Sequence, residues 1–267
     1  MDFAQQLVNG VQIGSVYALV AIGYTMVYGI AKMINFAHGD IIMVGSYVAL
    51  LFFQSSGLPV WGVIAATAAV SAVLGVTIER LAYKPLRGGS RMSALITTIG
   101  VSLMLQNGFL LIFGSSPKPF PNHFTGEGFT LGGVTVSRLT AITLVVTVVL
   151  MVLLTLFVNR TRVGKAMRAV SEDQGAAQLM GINIDTSISI TFAIGSALAA
   201  VAAVLYSSTY PLINPYMGSM LGLRAFIAAV IGGIGVIPGA MIGGFIIGIA
   251  EALIKRYISS AMADAIV

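Results

Sequence analysis

The side chains able to do chemistry are few, and most of those inside apolar runs are uncharged. His38 and Asp40, in Phe-Ala-His-Gly-Asp, make the one close His/Asp pair in 267 residues. At the start of an apolar run such a pair could relay a proton, because charge inside a membrane is costly and usually functional. Two ligands are too few for a metal centre, so no metal is expected. If the run begins at the membrane surface the pair can stay hydrated or cap a helix. That plain role is the first expectation, and gating is the second. Gln12, Gln106 and Asn107 also lie within apolar runs. Each could face a solute path, although polar side chains between membrane helices also act as hydrogen-bond glue worth about 0.6 kcal/mol. Glu79 with Arg80 reads as a solvated interface pair, and Glu251 with Lys255 as a four-apart helical ion pair of modest worth. Cysteine is absent, which removes disulfides, thiolate metal sites and cysteine nucleophiles. There is no phosphate-cradling Gly-x4-Gly-Lys-Ser/Thr loop, and no nucleophile, base and orienter can be assembled. Neither catalysis nor a bound cofactor is expected of this chain.

Composition decides what kind of scaffold must hold these residues. The chain is 57% hydrophobic and 9% charged, where soluble domains carry roughly 25% charged residues. A water-exposed surface cannot be covered by so few charges, so soluble, disordered, coiled-coil and secreted-scaffold classes are excluded. The 31 glycines fit packed membrane helices. An all-α polytopic membrane protein in a lipid bilayer follows, with residues 1–267 as a single domain. The net charge of +5 could suggest nucleic acid, but the basic residues sit in the gaps between apolar runs, as the positive-inside rule places them. No nucleic-acid partner is expected.

Runs long enough to span fall near 5–30, 36–53, 59–81, 92–114, 139–158 and 187–209. The first is too long for a signal-peptide core and lacks a basic leader, so it is expected to remain as a helix. Region 220–254 is broken by Gly-Gly-Ile-Gly-Val-Ile-Pro-Gly. It fits two short helices, or a re-entrant half helix and one span, giving about 7–8 membrane helices with at least one short or interrupted. Gly235, Gly239 and Gly243, and Gly244 with Gly248, are expected to form small-residue packing ridges. Gly235 and Pro238 could instead hinge a gating path.

Arg80, Lys84, Arg87 and Arg91 in one gap, and Arg160, Arg162, Lys165 and Arg168 in another, place both gaps in the cytoplasm. The N-terminus and loop 115–138 then lie outside. Pro117, Pro119 and Pro121 stiffen that loop, as a plain connector or as a contact for an external protein. Lys255 and Arg256 stay open: an odd number of crossings in the last region puts them inside, and a hairpin puts them outside.

Residues 159–187 are much longer than a connection between membrane helices needs. Gly164 to Val170 has a cationic pair, Lys165 and Arg168, with Val163, Met167 and Val170 on another face, which predicts a short amphipathic helix. Ser171 with Gln174 three residues on is a capping-box pattern, and Glu172 and Asp173 suit the positive end of a helix starting at Ser171. That second helix continues through Ala176, Ala177 and Leu179 and meets Gly181, suited to a left-handed position just past its end. An apolar face in water needs a cover; the alternative is a helix lying on the membrane.

Thr-Arg-Val-Gly-Lys-Ala-Met-Arg-Ala-Val-Ser-Glu-Asp-Gln-Gly-Ala-Ala-Gln-Leu-Met-Gly-Ile-Asn resembles the cytoplasmic coupling segment of permeases from branched-chain amino acid ABC importers, of the LivH type. Asn35 to Tyr47, and Val230 to Gly244, resemble two further segments of that family in the same order. The family usually runs on with a further apolar span and an Arg-Pro-x-Gly-Leu-like tail, which does not follow Val267. The resemblance implies a pair of permease subunits, the second a related but different chain, in a bacterial inner membrane. It further implies two ATPase subunits that hold the ATP and Mg, and an external substrate-binding protein that sets most of the selectivity. It places Gly164, Lys165, Met167, Arg168, Ser171, Glu172, Asp173, Ala176, Ala177, Leu179 and Gly181 in a groove of the ATPase. Gln12, Asn35, His38, Asp40, Asn107, Gly235 and Pro238 are the candidates for the path or gate. The expected function is inward movement of branched-chain or related apolar amino acids by alternating access. Two alternatives are a permease of the same build for urea or a short amide, and an ion-coupled secondary transporter. The latter calls for a midplane carboxylate and paired interrupted segments.

Overall fold

A computed structural model describes residues 2–87, 89–121, 123–124, 128–131, 134–259 and 263. The helices are α1 (Asp2–Ala31), α2 (His38–Ser55), α3 (Val60–Ile78), α4 (Arg91–Phe113), α5 (Arg138–Arg160), α6 (Arg162–Glu172), α7 (Gln174–Leu179), α8 (Ile184–Thr209), α9 (Met217–Ile231) and α10 (Ile237–Tyr257). Six of them, α1, α3 with its continuation to Leu86, α4, α5, α8 and α10, are long and apolar enough to cross a membrane. Among the described residues four short strands accompany them: β1 (Lys118–Pro119) pairs with β4 (Leu212–Ile213), and β2 (Phe129–Leu131) with β3 (Val134–Val136), both antiparallel.

α1 is the central post. Its residues 14–27 are buried without interruption, as expected of a helix apolar all round. The tightest partner is α10, which runs antiparallel to it. A Cβ on Gly244 would run into the backbone of Ala18, one on Gly248 into Gly14, and one on Gly10 into Ile249. Small residues four apart on both helices therefore let the backbones touch. The Gly244/Gly248 ridge was legible, while its mate Gly10, Gly14 and Ala18 on α1 completes it. Replacing Gly244 with leucine is expected to force α10 off α1 and lower the melting temperature in detergent by roughly 5–10 °C. An unchanged transition would refute this packing.

Region 220–254 resolves into the short α9 and the full-length α10, joined by a turn at residues 232–236. Gly239 and Gly243 face α9, at the carbonyls of Gly232 and Ala228. Gly235 is not part of that ridge; at φ +97° it is a turn glycine. Pro238 begins α10 rather than hinging it. There its missing N–H costs nothing.

Sidedness is consistent throughout. Gln5 near the start of α1 exchanges hydrogen bonds with the backbone of Thr135 in β3, at 3.0 and 2.9 Å. The strands, the start of α1 and the end of α10 thus share one end. The other end holds α6, α7, the 232–236 turn and nine of the fourteen lysines and arginines: Lys32, Arg80, Lys84, Arg87, Arg91, Arg160, Arg162, Lys165 and Arg168. That excess makes it the basic end of the bundle, and Lys255 and Arg256 lie at the opposite one.

The expectation for His38 and Asp40 is overturned. α2 does not start at the membrane surface. Residues 32–37 turn back into the bundle, and the ring of His38 sits 4.6 Å from that of Tyr24, about 10 Å inside the end of α1 by helix rise. His38 and Asp40 are each 1% exposed, so neither is hydrated at a helix end. α9 starts at the same place, since Gly218 and Gly222 pack on the backbone of Gly39. Irregular backbone at membrane depth is tolerated where protein covers it, and Asn35 and Ala37 are buried.

Candidate functional site

Two short helices stand between α5 and α8, in a different frame from the one expected. α6 begins at Arg162, with a single residue between it and the end of α5 at Arg160. The linking residue, Thr161, is extended, and its hydroxyl accepts the Gly164 N–H at 3.0 Å as an N-cap. A Cβ at Gly164 would collide with the backbone of Phe157 and Val158, so glycine permits this sharp fold-back. Met167 and Val170 are buried against the bundle. The apolar face of α6 is therefore covered within the chain, except for exposed Val163.

α7 is capped by Asp173, whose Oδ1 accepts the Ala176 N–H at 3.0 Å. Ser171, the expected cap, lies inside α6, and its hydroxyl donates to the Arg168 carbonyl at 2.7 Å. Asp173 is the residue that leaves the helical region, and aspartate caps as well as serine. Gly181 takes φ +80°. Its N–H bonds the Gln178 carbonyl and that of Ile182 bonds Ala177, both at 3.0 Å, the double closure that ends a helix on a left-handed glycine.

Among the expected coupling residues, Gly164, Met167 and Ala177 are buried and Ser171 is half-buried. Those seven left over, Lys165, Arg168, Glu172, Asp173, Ala176, Leu179 and Gly181, are exposed. Leu179 is 90% exposed and Met180 beside it 81%. Met180 is not among the residues the sequence singles out, because six residues of α7 are too few to carry a readable period.

An ionic latch lies beside this unit. Glu79 is not a solvated partner of Arg80. It is fully buried, accepts from Ser189 at 2.6 Å and pairs with Arg87. Arg87 also pairs with Asp185, as does Lys84 at 2.7 Å. A π turn at Glu79–Tyr83 brings both of those side chains inward. The latch joins the end of α3 to the start of α8, just past α7. Lys84→Ala removes only an exposed pair and should change stability by less than about 0.5 kcal/mol. Arg87→Ala strips a buried carboxylate of its cation and should lower the melting temperature in detergent clearly. Equal effects would contradict this ranking.

The path candidates separate. Asn35 accepts from the Tyr83 hydroxyl at 2.7 Å. Asp40 Oδ1 accepts from Gln106 Nε2 at 2.9 Å, and the same nitrogen lies 2.9 Å from Ser219 Oγ and 3.1 Å from Ser102 Oγ. Asp40 caps nothing: α2 has no side-chain N-cap bond. Asn107 points away from the bundle, its amide turned back to the Leu103 carbonyl at 2.8 Å; its neighbour Gln106 is the residue that reaches in. Gln12 bridges helices, donating to Thr209 at 3.2 Å and accepting from Thr140 at 2.7 Å. Gly235 lies at the basic end, lining a cavity of about 320 Å³ with Lys32, Arg168 and Glu172. Asn35, His38, Asp40 and Gln106 are thus grouped around the start of α2, and Gln12, Asn107, Gly235 and Pro238 are elsewhere.

Arg224 is a residue the sequence patterns leave out, although a lone charge within Leu-Gly-Leu-Arg-Ala-Phe is itself a signal. Its guanidinium bonds Glu251 at 3.0 Å and the Tyr17 hydroxyl at 2.9 Å, while Tyr17 donates to Glu251 at 2.6 Å. Glu251 also pairs with Lys255, but it is 1% exposed. The four-apart pair expected to be of modest worth is the rim of a buried network joining α1, α9 and α10.

Comparison with known proteins places this architecture. Residues 6–267 match the family described as branched-chain amino acid transport system / permease component. The chain is 49% identical over 263 residues to the high-affinity branched-chain amino acid transport system permease protein BraD of Pseudomonas aeruginosa, covering 94% of this chain and 85% of the relative. It is 47% identical over 277 residues to the permease protein LivH of the corresponding system in Escherichia coli, covering 99% and 90%. Among solved structures, PsaBC from Streptococcus pneumoniae in complex with Fab aligns at TM-score 0.50 and 15% identity, over 100% of this chain and 88% of that one, a likeness of fold. Matched over nearly its whole length, and built of membrane-spanning helices around a central α1, the chain belongs to the permease components of branched-chain amino acid transport systems.

Proposed function

We propose that this chain is one of two membrane-spanning subunits of an ATP-driven importer that carries branched-chain amino acids across a bacterial inner membrane. The observation that carries the reading is the pair Leu179 and Met180, almost fully exposed at the tip of a two-helix unit whose Met167, Val170 and Ala177 are already buried. A separate ATPase subunit, one for each permease, receives that tip in a groove. The permease itself hydrolyses nothing. Because α6 is anchored by Gly164, Met167 and Val170, and the latch ties the start of α8 to the end of α3, a push on α7 reaches the bundle as a rigid movement. Alternating access follows from that movement, and the external binding protein delivers the solute. The relatives' names and the basic end on which α7 lies support the same assignment.

The test is reconstitution of the chain with its partner permease, ATPases and binding protein in proteoliposomes. ATP-dependent uptake of L-leucine is the expected result. Uptake of urea and not leucine, or uptake driven by an ion gradient without ATPase, would overturn it.

A further inference from the structure

α2 and α9 both begin inside the bundle, and they begin together: Gly39, second residue of α2, packs on Gly218 and Gly222 of α9. Neither helix start carries a side-chain N-cap bond, so two positive helix ends converge there. Between them lies Asp40, 1% exposed, whose Oδ2 has no hydrogen-bond partner among the described residues. Gln106, on α4, covers it by bonding Oδ1 and Ser219 together. Ser219 is exposed in the single chain, and Met220 and Leu223 next to it are 49% and 47% exposed.

We infer that this place, Asp40 with Gln106, Ser219 and the starts of α2 and α9, is the station at which the translocated amino acid is held inside the membrane. It rests on the importer reading and adds to it the site and the groups recognised. A zwitterion needs an acceptor for its ammonium and donors for its carboxylate, close together. The free oxygen of Asp40 supplies the first. The Ser219 hydroxyl, the Gln106 amide and the positive helix ends supply the second, the use to which interrupted membrane helices are suited. Met220 and Leu223 offer an apolar floor for a branched side chain. In the state described, Gln106 closes the station; movement of α4 away from α2 and α9 opens it.

The chain has no cysteine, so a single introduced thiol can be followed in the whole importer. In the reconstituted importer, Ser219→Cys is expected to react with a membrane-impermeant, positively charged methanethiosulfonate during ATP turnover, above the background of the cysteine-free chain. L-leucine delivered by the binding protein should slow that reaction at least several-fold. Adding Asp40→Asn should raise the leucine concentration needed for this protection by about tenfold or more, the equivalent of one lost charge pair at about 1.4 kcal/mol per decade. No reaction at position 219 during turnover, or reaction that leucine does not slow, overturns the station while leaving the importer reading intact. Protection equally strong when Asp40→Asn is present removes the carboxylate from it. Failure of the wild-type importer to take up leucine with ATP is the separate failure of the function itself.

Discussion

Replacing Leu179 and Met180 together with aspartate is expected to release the ATPase from the permease and abolish ATP-driven uptake. Both side chains are almost wholly exposed, so the substitution disturbs no internal packing, and α7 keeps its Asp173 cap and Gly181 closure. Burying a leucine or methionine in a groove is worth about 1.5–3 kcal/mol. Losing two such contacts weakens docking by roughly 10²–10⁴-fold, before the cost of burying carboxylates is added. Copurification of the ATPase on a tagged permease measures this directly, and unchanged helical content separates it from misfolding. Full retention of the ATPase would mean that α7 is not where it docks.

A second large effect is expected at Arg224. Replacing it with methionine leaves Glu251 buried with, among the described residues, the Tyr17 hydroxyl and the partly exposed Lys255 as partners. Breaking one side of a buried ion pair costs about 3–5 kcal/mol, and Lys255 moves the expectation toward the lower figure. The double replacement Arg224→Met with Glu251→Gln removes both charges and should recover most of the loss. Thermal unfolding in detergent of the two variants beside the parent is the measurement. A double variant no better than the single one would show that the network acts through something other than its charge.

Much of the architecture was legible because the bilayer imposes it. Length and hydropathy locate the long helices up to α8 to within a few residues, whereas α10 stays undefined within region 220–254 until the turn at 232–236 is seen; lysine and arginine placement separates the two ends of the bundle, with Lys255 and Arg256 at the far one. Gly181 was readable since a left-handed backbone leaves few choices of residue. What escaped has a common cause: depth and partner are properties of packing, not of local pattern. The sequence marks His38 and Asp40 as the start of a helix, but only the return of residues 32–37 into the bundle puts that start beneath the surface. Gln106 and Asn107 are indistinguishable neighbours until the rotation of α4 turns one inward. Ser171 and Asp173 both make good caps, and the choice falls to whichever residue leaves the helical region. Glu79 finds Arg87 rather than Arg80 where a π turn carries it inward.

The central claim, that α7 is the handle by which a separate ATPase moves this permease, is tested most directly by placing a single cysteine at Leu179 in the intact importer. Joined to a short thiol-directed cross-linker, it is predicted to couple to the ATPase subunit, with a yield that changes when ATP is added. Coupling to lipid alone, in vesicles that still import leucine on ATP, would contradict the claim.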